Sequence, residues 1–296
     1  MKSCANAFAP IIARLANLSF SQGCFPSRYK IAQVLPLLKK PNADRSSPVN
    51  YRPISNLATI SKVLERLALS QLRPHLLGSP NFCPLQSAYR AGHSTETALL
   101  ELLDGIYRAG DEKRFTVVVG LDISAAFDTI CHSTLLDRMH VEFGISSTVL
   151  DWLSSYLAGR MQYVKVGQRS SRLVSCSSGV PQGSVLGPLL FAVYVSPVGN
   201  VISSHGVGYH QYADDTQLAL AMKSNNTDAG LATLAACTAA VKDWYLHNHL
   251  LLNADKSEVM TLGTHVQLKN AADADVKCVT VAGGMLSVTS QMKSLS

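Results

Sequence analysis

The sequence lacks any long apolar run of the kind that crosses a membrane. Its longest apolar stretch, Leu186 to Val195, is short and is broken by Gly187 and Pro188, whereas a membrane-spanning helix needs about 20 predominantly apolar residues. The N-terminal residues are only weakly apolar and are interrupted by polar and basic side chains, a poor pattern for a secretory signal. These absences predict a soluble intracellular protein without a membrane partner.

Charged residues and closely spaced cysteines are also scarce. Asp, Glu, Lys and Arg make up 16% of the chain, below the roughly 25% that is typical, and 26 basic against 20 acidic residues leave a net charge of +6. The seven cysteines form no CxxC pair, which argues against a zinc site, and their odd number and wide spacing argue against a disulfide framework. The mild basic excess is compatible with a polyanionic partner such as nucleic acid.

Helical patterns are present along much of the chain. Apolar residues recur with a period near 3.6 over Ala58 to Arg73 and over Leu231 to Tyr245, which predicts two amphipathic helices. A third helix is predicted to begin at Ser94 or Thr95 as its N-cap. The inward face of this third helix is predicted to comprise Leu99, Leu102, Leu103 and Ile106.

Strand patterns alternate with these helices without a regular order. The β-branched run Phe115 to Leu121 is typical of a strand buried on both faces. The alternation over Tyr209 to Leu220 predicts a hairpin, and Glu258 to Leu262 a short strand. Because helices and strands mix without a βαβ rhythm, the predicted fold class is α+β.

Three aspartates stand at the ends of the predicted strands. Asp122 follows the buried strand, and Asp214 and Asp215 lie in the string YADD of the predicted hairpin. Each also has a purely structural interpretation, because Asp122 could cap the helix that follows and an Asp-Asp pair is usually a solvated turn. The residues alone leave these alternatives open.

Brought together, three carboxylates would repel one another unless divalent cations neutralised them. Hard oxygen ligands that leave room for phosphate oxygens suit Mg²⁺. Two such ions stabilise the attacking and leaving oxygens of a phosphoryl displacement. The pattern therefore predicts phosphoryl transfer with two Mg²⁺ ions, with Mn²⁺ as a substitute.

Six short strings carry a second and more specific signal. They are NYRPISNL (Asn50 to Leu57), QSAYRAGHSTETALL (Gln86 to Leu100), LDISAAFD (Leu121 to Asp128), GVPQGSVLGPLLF (Gly179 to Phe191), YADD (Tyr212 to Asp215) and LNADKSE (Leu252 to Glu258). The last four resemble the palm motifs of reverse transcriptases in order and spacing, and the first two resemble finger motifs of non-LTR retrotransposon polymerases. The pattern is most like that of chicken-repeat and L2-like LINE elements and covers the chain from about Phe25 onward.

The resemblance implies a metal-binding and catalytic set. Asp122 and Asp214 would be the principal Mg²⁺ ligands, the backbone carbonyl of Ile123 a further ligand, and Asp215 a more peripheral carboxylate. Lys256, expected in a loop after the long helix, would protonate the leaving pyrophosphate as general acid. Without the resemblance, Lys256 is better interpreted as a surface lysine.

The resemblance also implies contacts with the incoming nucleotide. Arg52 would grip the triphosphate, because a planar guanidinium suits phosphate oxygens, and Lys39 or Lys40 would add a point charge. Phe127 would act as a steric gate against a ribose 2′-hydroxyl. Taken alone, the basic residues are more typical of a solvated edge, and Phe127 is equally well explained as a core side chain.

Four further residues match positions near the nucleic acid. Gln182 would pack near the incoming nucleotide and the template. Gly183 beside it, Tyr212 of the YADD turn and Arg90 would contact the primer or the template.

The implied architecture is a right-hand polymerase fold with fingers and palm. We predict a lead-in segment over residues 1–24, fingers over 25–111 with an insertion over 131–178, and palm over 112–130 and 179–296. Relative to full-length elements, the chain is expected to be truncated at both ends, without the preceding endonuclease and the following thumb.

The implied function is that of an RNA-directed DNA polymerase, which joins deoxynucleotides to a DNA 3′-hydroxyl on an RNA template. Its partners would be an RNA template, a DNA primer or target DNA, and deoxynucleoside triphosphates. It would work in the nucleus, the cytoplasm or both. Two alternatives stay open: a truncated, catalytically silent nucleic-acid-binding remnant, and another palm-type phosphotransferase such as a nucleotide cyclase.

Overall fold

The computed structural model describes residues 5–273 and 276–292. Its helices are α1 (Ala5–Ser21), α2 (Thr59–Leu77), α3 (Thr95–Asp111), α4 (His132–Val141), α5 (Ser147–Leu157), α6 (Gly187–Val195), α7 (Val198–Ser204), α8 (Thr227–His247) and α9 (His265–Asp273). Its strands are β1 (Ile31–Leu38), β2 (Tyr51–Asn56), β3 (Phe115–Ser124), β4 (Arg160–Val166), β5 (Arg169–Ser170), β6 (Val174–Cys176), β7 (Gly208–Tyr212), β8 (Asp215–Met222), β9 (Leu251–Leu262), β10 (Cys278–Val281) and β11 (Gly284–Thr289). The outer limits of the predicted domain scheme, residues 1 and 296, lie outside the described residues.

The chain divides into two units by its internal packing. The first unit comprises Met1–Asn81 and Phe127–Tyr194, and the second comprises Phe82–Ala126 and Val195–Ser296. Each unit combines helices with a sheet, as the predicted α+β class requires. The predicted fingers and palm are defined by function and not by packing, so their boundaries stay predictions.

The first unit is built on a sheet of strand order β2-β1-β4-β5, with β6 also paired to β4. Strand β1 runs antiparallel to β2 and parallel to β4. The β1–β2 hairpin therefore forms one side of this sheet, and the strands that follow α5 form the other.

Helix α2 supplies part of the core of the first unit. The predicted helix over Ala58 to Arg73 is confirmed, but it continues through Pro74 to end at Leu77. A proline inside a helix removes a backbone hydrogen bond. Complete burial of Leu76 in the added turn offsets that loss.

The second unit is built on a six-stranded sheet of order β10-β11-β9-β3-β8-β7. Strand β3 is central and runs antiparallel to both β8 and β9. This position explains the β-branched run, because Val117, Val118 and Val119 are completely buried. The predicted strand and hairpin are both confirmed.

Two elements of the second unit differ from expectation. The predicted strand Glu258 to Leu262 is the second half of the longer β9, so the prediction of a loop around Lys256 is wrong. Helix α3 begins at the predicted N-cap, Ser94, but Leu99 is exposed and Ala98 is buried. Small side chains such as Ala98 let α3 pack closely against the sheet.

One apolar stretch, Gly187–Ser204, has a mean hydropathy of 1.2 over 18 residues, enough by length and composition to cross a membrane. Of this stretch, 67% is buried inside the protein, and a turn at Ser196 and Pro197 divides it into α6 and α7. Because buried core helices have the same composition, the stretch is weak evidence for a membrane span.

Candidate active site

The YADD residues form the tight end of the β7–β8 hairpin. Tyr212 and Asp215 are the last paired residues, which leaves Ala213 and Asp214 as a two-residue loop. Ala213 has a positive φ of 55°, the conformation that the first loop position of a type II′ turn requires and that glycine usually supplies. An alanine in this left-handed conformation costs about 1–2 kcal/mol of conformational energy. The backbone is therefore strained at the residue next to Asp214.

Asp122 lies beside this hairpin on the central strand. Strands β3 and β8 are paired as far as Leu121 and Thr216, so the next residues along the two strands are Asp122 and Asp215. Residues directly opposite in an antiparallel pair share one face of the sheet, and like charges there are unfavourable. The Asp122 side chain is 28% exposed, so ions from solvent can reach it.

A cationic side chain also reaches Asp122. Strand β9 pairs with β3 at Glu258 and again at Asn253, with an irregularity between them. Ser257 closes this irregular stretch by donating from Oγ to the Asn253 carbonyl at 2.9 Å. The distortion brings Lys256 Nζ within 3.5 Å of Asp122 Oδ2. Because Lys256 is 63% exposed, the pair is weak and screened by solvent.

The donor chemistry of these carboxylates fits a divalent cation. Carboxylate and carbonyl oxygens are the ligands that Mg²⁺ prefers, and Asp122 already attracts the ammonium group of Lys256. Among residues 5–273 and 276–292, no group of three or more His, Cys, Asp or Glu side chains could hold a metal ion by itself. A site built from two carboxylates and a backbone carbonyl would therefore need oxygen ligands from a bound substrate.

In the first unit, Gln182 and Gly183 fold back onto strand β2. The Ser55 N–H donates to the Gln182 carbonyl at 2.8 Å. Gly183 has a φ of 103°, and a Cβ atom there would lie 3.0 Å from the Ser55 carbonyl oxygen. The position therefore needs glycine both for its conformation and for the close approach. The Gln182 side chain donates from Nε2 to Asp128 Oδ2 at 3.1 Å.

The predicted triphosphate contacts, Arg52 and Lys39, share the β1–β2 hairpin. Arg52 is paired with Leu37 in the register of the hairpin and is exposed. Lys39 follows the end of β1, and its Nζ donates to the Val49 carbonyl at 2.7 Å. Both cations are exposed on the same hairpin, where a ligand from solvent can reach them.

Phe127 packs against the middle of helix α6. Its ring stacks on Phe191 of α6, with ring centroids 4.8 Å apart and planes inclined by 30°. Its backbone carbonyl accepts the Val180 N–H at 2.8 Å. The side chain is half-buried, so one part of the ring is held in place and another part is accessible.

The comparison with protein families matches residues 38–293 to the family described as Reverse transcriptase (RNA-dependent DNA polymerase). The chain belongs to this family. The match includes all six strings on which the resemblance depended.

Curated reverse transcriptases of Drosophila melanogaster are similar over most of the chain. The probable RNA-directed DNA polymerase from transposon BS is 32% identical over 238 residues, which are 79% of this chain and 26% of that protein. The RNA-directed DNA polymerase from mobile element jockey is 30% identical over 256 residues, 84% of this chain and 27% of that protein. The chain thus spans about a quarter of the length of these relatives. Its assignment to non-LTR retrotransposon reverse transcriptases is confirmed, and the chicken-repeat and L2-like subgroup stays a prediction.

A solved structure shares the reverse transcriptase fold. Apo telomerase from Candida tropicalis, truncated from its C-terminal domain, superposes with a TM-score of 0.54 at 9% identity. The match covers 88% of this chain and 55% of that one. At this identity the similarity concerns the fold alone, and it confirms the predicted polymerase architecture of fingers and palm.

The reverse transcriptase residues predicted from sequence are divided between the two units. The second unit holds Asp122, Ile123, Asp214, Asp215, Tyr212, Lys256 and Arg90, and the first unit holds Arg52, Lys39, Phe127, Gln182 and Gly183. Arg90 donates from Nη1 to the carbonyls of Pro84 and Gln86, at 2.6 and 3.2 Å. It therefore anchors the segment on which it lies.

Sequence analysis missed two buried polar residues that bear on a reverse transcriptase site. Arg160 is 3% exposed, lies 4.1 Å from the centre of the Tyr156 ring and borders a cavity of about 390 Å³ that Gln182 also lines. Within the described part of the chain, its two terminal nitrogens have no hydrogen-bond partner. Gln86 is completely buried and contacts the YADD turn. The string containing Gln86 was recognised, but nothing in its local pattern indicates a partner so distant in sequence.

Proposed function

We propose that this chain catalyses RNA-templated DNA synthesis, with the carboxylates at the end of the second unit's sheet as its metal-binding centre. One observation carries the proposal. The register of β3 and β8 makes Asp122 and Asp215 neighbours, and the hairpin that begins β8 has Asp214 in its two-residue loop. This concentration of negative charge at a partly exposed position suits divalent cations and the phosphates that they bind.

Asp122, Asp214 and the backbone carbonyl of Ile123 would hold the Mg²⁺ ions, with Asp215 as a peripheral carboxylate. When bound, these ions lower the energy of the negative charge that develops on the attacking and leaving oxygens. Mn²⁺, which also prefers oxygen ligands, would substitute for Mg²⁺.

The reaction forms a bond between the 3′-oxygen of a DNA primer and the α-phosphorus of a deoxynucleoside triphosphate. The bond from that phosphorus to the bridging oxygen of pyrophosphate breaks, and the hydroxyl proton passes to solvent. Lys256 would donate a proton to the departing pyrophosphate as general acid. Its ammonium group lies 3.5 Å from Asp122, which supports a position at the edge of the reacting centre.

Residues of the first unit would bind the nucleotide and the template strand. Arg52 and Lys39 would contact the triphosphate, because both cations are exposed on one hairpin. Gln182 and Gly183 would lie against the nucleotide and template, where the glycine backbone allows close approach. In the second unit, Tyr212 and Arg90 would contact the primer or the template. The net charge of +6 favours binding of these phosphate backbones.

The proposal is tested by extension of a labelled DNA primer annealed to RNA. We expect this chain to add deoxynucleotides in the presence of Mg²⁺ or Mn²⁺ and to add none when EDTA removes the metal. Folded protein that binds the RNA–DNA duplex without extending it under any metal condition would favour the nucleic-acid-binding remnant. Release of pyrophosphate from ATP with formation of a cyclic nucleotide would favour the cyclase alternative.

Replacing Phe127 with valine should relax discrimination against ribonucleotides. The smaller side chain would open space beside the sugar 2′-carbon, and a change of this size in a pocket typically alters selectivity by about 10–200-fold. The measurement is the ratio of kcat/KM for a deoxynucleotide to that for the matching ribonucleotide on the same template-primer. Phe143→Val, which alters a buried phenylalanine of the same unit, is the control. An unchanged ratio in active Phe127→Val protein would contradict the gate.

Replacing Lys256 with methionine should slow the chemical step and leave nucleotide affinity nearly unchanged. Loss of a general acid typically costs about 10²–10⁴-fold in rate, and Lys256 is exposed enough for folding to tolerate the change. Single-turnover extension at saturating nucleotide measures the effect. Lys223→Met, at an exposed lysine beyond the far end of β8, should retain the full rate. Equal rates for the two variants would exclude the proton-donor role.

A further inference from the structure

We propose that Gln86 is a positioning residue, which holds the YADD turn in the conformation that presents Asp214. This inference rests on the proposed function, because it assigns Gln86 a role toward the same metal-binding centre. Gln86 is completely buried. Its Oε1 accepts the Ala213 N–H at 2.9 Å, and its Nε2 donates to the Ala213 carbonyl at 3.0 Å.

The turn needs such a partner because of its own geometry. The central residues of a two-residue hairpin loop make no hydrogen bonds in the β-ladder. Ala213 also has the positive φ that alanine disfavours. Conformations of this kind persist only where the surrounding structure over-determines them. A primary amide can accept from the N–H and donate to the C=O of one residue at the same time, and Gln86 does both.

The segment that carries Gln86 is itself held rigidly against strand β7. The Gln211 N–H donates to the Leu85 carbonyl, and the Ser87 N–H donates to the Gln211 carbonyl, both at 2.9 Å. Gln86 and Gln211 thereby form a parallel bridge. The side chains are locked as well, because Ser87 Oγ lies 2.8 Å from His210 Nε2. The backbone pairing of Leu85 and Ser87 with Gln211 therefore fixes the position from which the Gln86 side chain extends.

The charge of Asp214 also acts on Tyr89 of the same segment. Burial raises the pKa of Tyr89, and the charges of Asp214 and Tyr212 raise it further, in that order. The segment from Gln86 to Arg90 thus contacts the YADD turn through the side-chain amide of Gln86. A change in Gln86 should therefore alter the position of the Asp214 carboxylate, although Gln86 itself touches no substrate.

Substitution of Gln86 by methionine tests the inference, because methionine keeps the size of the side chain and removes both hydrogen bonds to Ala213. It also removes the bond that Oε1 accepts from the Ala88 N–H at 3.1 Å within the same segment. Gln267 offers a matched control in the same unit. Its Oε1 accepts the Thr264 N–H at 2.7 Å, its Nε2 donates to the Gly110 carbonyl at 2.8 Å, and it is 8% exposed. Gln267→Met therefore removes an equivalent pair of backbone contacts at a position that does not touch the YADD turn.

Two measurements on the whole chain separate positioning from a general structural role. The first is Mn²⁺ affinity by electron paramagnetic resonance, at a temperature where thermal denaturation shows each variant to be folded. Loss of an outer-shell partner typically weakens metal binding about 10–100-fold, so we expect that loss in Gln86→Met and less than about a twofold change in Gln267→Met. The second is amide hydrogen exchange over residues 209–216, which should accelerate only in Gln86→Met.

The inference would be overturned if Gln86→Met changed neither the Mn²⁺ affinity nor the hydrogen exchange of residues 209–216. It would also be overturned if Gln86→Met and Gln267→Met lost Mn²⁺ affinity equally. If the wild-type chain bound no Mn²⁺, the proposed function would fail, and exchange at residues 209–216 would still decide whether Gln86 holds the turn. If Gln86→Met did not fold, Gln86→Glu would replace it. The glutamate keeps an acceptor for the Ala213 N–H but loses the donor to the Ala213 carbonyl, and the same two outcomes apply to it.

Discussion

Asp214→Asn should reduce the rate of primer extension by at least about 10³-fold, which corresponds to roughly 4 kcal/mol of transition-state stabilisation. The amide that replaces the carboxylate is neutral and offers one oxygen, so it binds a hard divalent cation far more weakly. Asp214 lies in the two-residue loop of the hairpin, outside the β-ladder, so the substitution should leave the sheet intact. Single-turnover extension at saturating nucleotide and Mg²⁺ measures the loss.

Affinity for the RNA–DNA duplex should be nearly unaffected, because duplex binding depends mainly on contacts between basic residues and phosphates. Asp243→Asn, an exposed aspartate on helix α8, removes the same charge elsewhere in the second unit and should retain the full rate. A principal metal ligand contributes several kcal/mol to catalysis. An extension rate of Asp214→Asn within about tenfold of the wild-type rate would therefore exclude Asp214 from that role.

Glu65→Ala should lower the free energy of unfolding of the first unit by about 3–5 kcal/mol, the cost of removing one partner from a buried charged network. Glu65 on helix α2 is completely buried. Its Oε1 accepts from Ser61 Oγ at 2.9 Å. Its Oε2 accepts from the Tyr156 hydroxyl at 3.2 Å and from the Val185 N–H at 2.7 Å.

The position of Glu65 explains why this loss should be large. Its Oε2 also accepts the Leu186 N–H at 3.2 Å, so the carboxylate lies at the positive N-terminal end of helix α6 and satisfies donors that the helix leaves free. Burial, followed by the Glu65 charge, raises the pKa of Tyr156 well above its ordinary value. Removing the carboxylate would take this acceptor from the Tyr156 hydroxyl, the buried Leu186 N–H and the partly buried Val185 N–H. Each buried donor left unsatisfied costs about 1–3 kcal/mol.

Urea unfolding followed by the fluorescence of Trp152 measures this effect, because Trp152 is buried in the first unit beside Tyr156. A Trp244→Phe background removes the second tryptophan from the signal. Asp137→Ala, which removes an exposed carboxylate on helix α4 of the same unit, should change the free energy of unfolding by less than about 0.5 kcal/mol. A similarly small change in Glu65→Ala would show that the network around Glu65 contributes little to the first unit.

The parts of the fold that sequence predicted well are those with a local signal. The buried run of β3, the YADD hairpin and helix α2 each follow from residue periodicity within one element. The placement of the three aspartates was predictable because they stand at strand ends, so that sheet pairing brings Asp122 next to the hairpin. Their role as a metal-binding set stays a prediction.

The parts that were missed depend on contacts between distant segments. Gln86 reaches Ala213 across 127 positions of sequence, and Glu65 reaches Val185 across 120. No local pattern reports such partners. The strand at Lys256 was missed because β9 pairs irregularly with β3 between Asn253 and Glu258, and polar residues in a bulged stretch resemble a loop.

The central claim is that Asp122 and Asp214 bind the divalent ions of a nucleotidyl transferase. The most direct test is X-ray diffraction above the manganese absorption edge, from crystals of this chain grown with Mn²⁺ and a non-hydrolysable deoxynucleoside triphosphate. We predict an anomalous peak in direct contact with the carboxylates of Asp122 and Asp214, at about 2.0–2.3 Å from their oxygens. Nucleotide bound with its Mn²⁺ away from both carboxylates would contradict the claim.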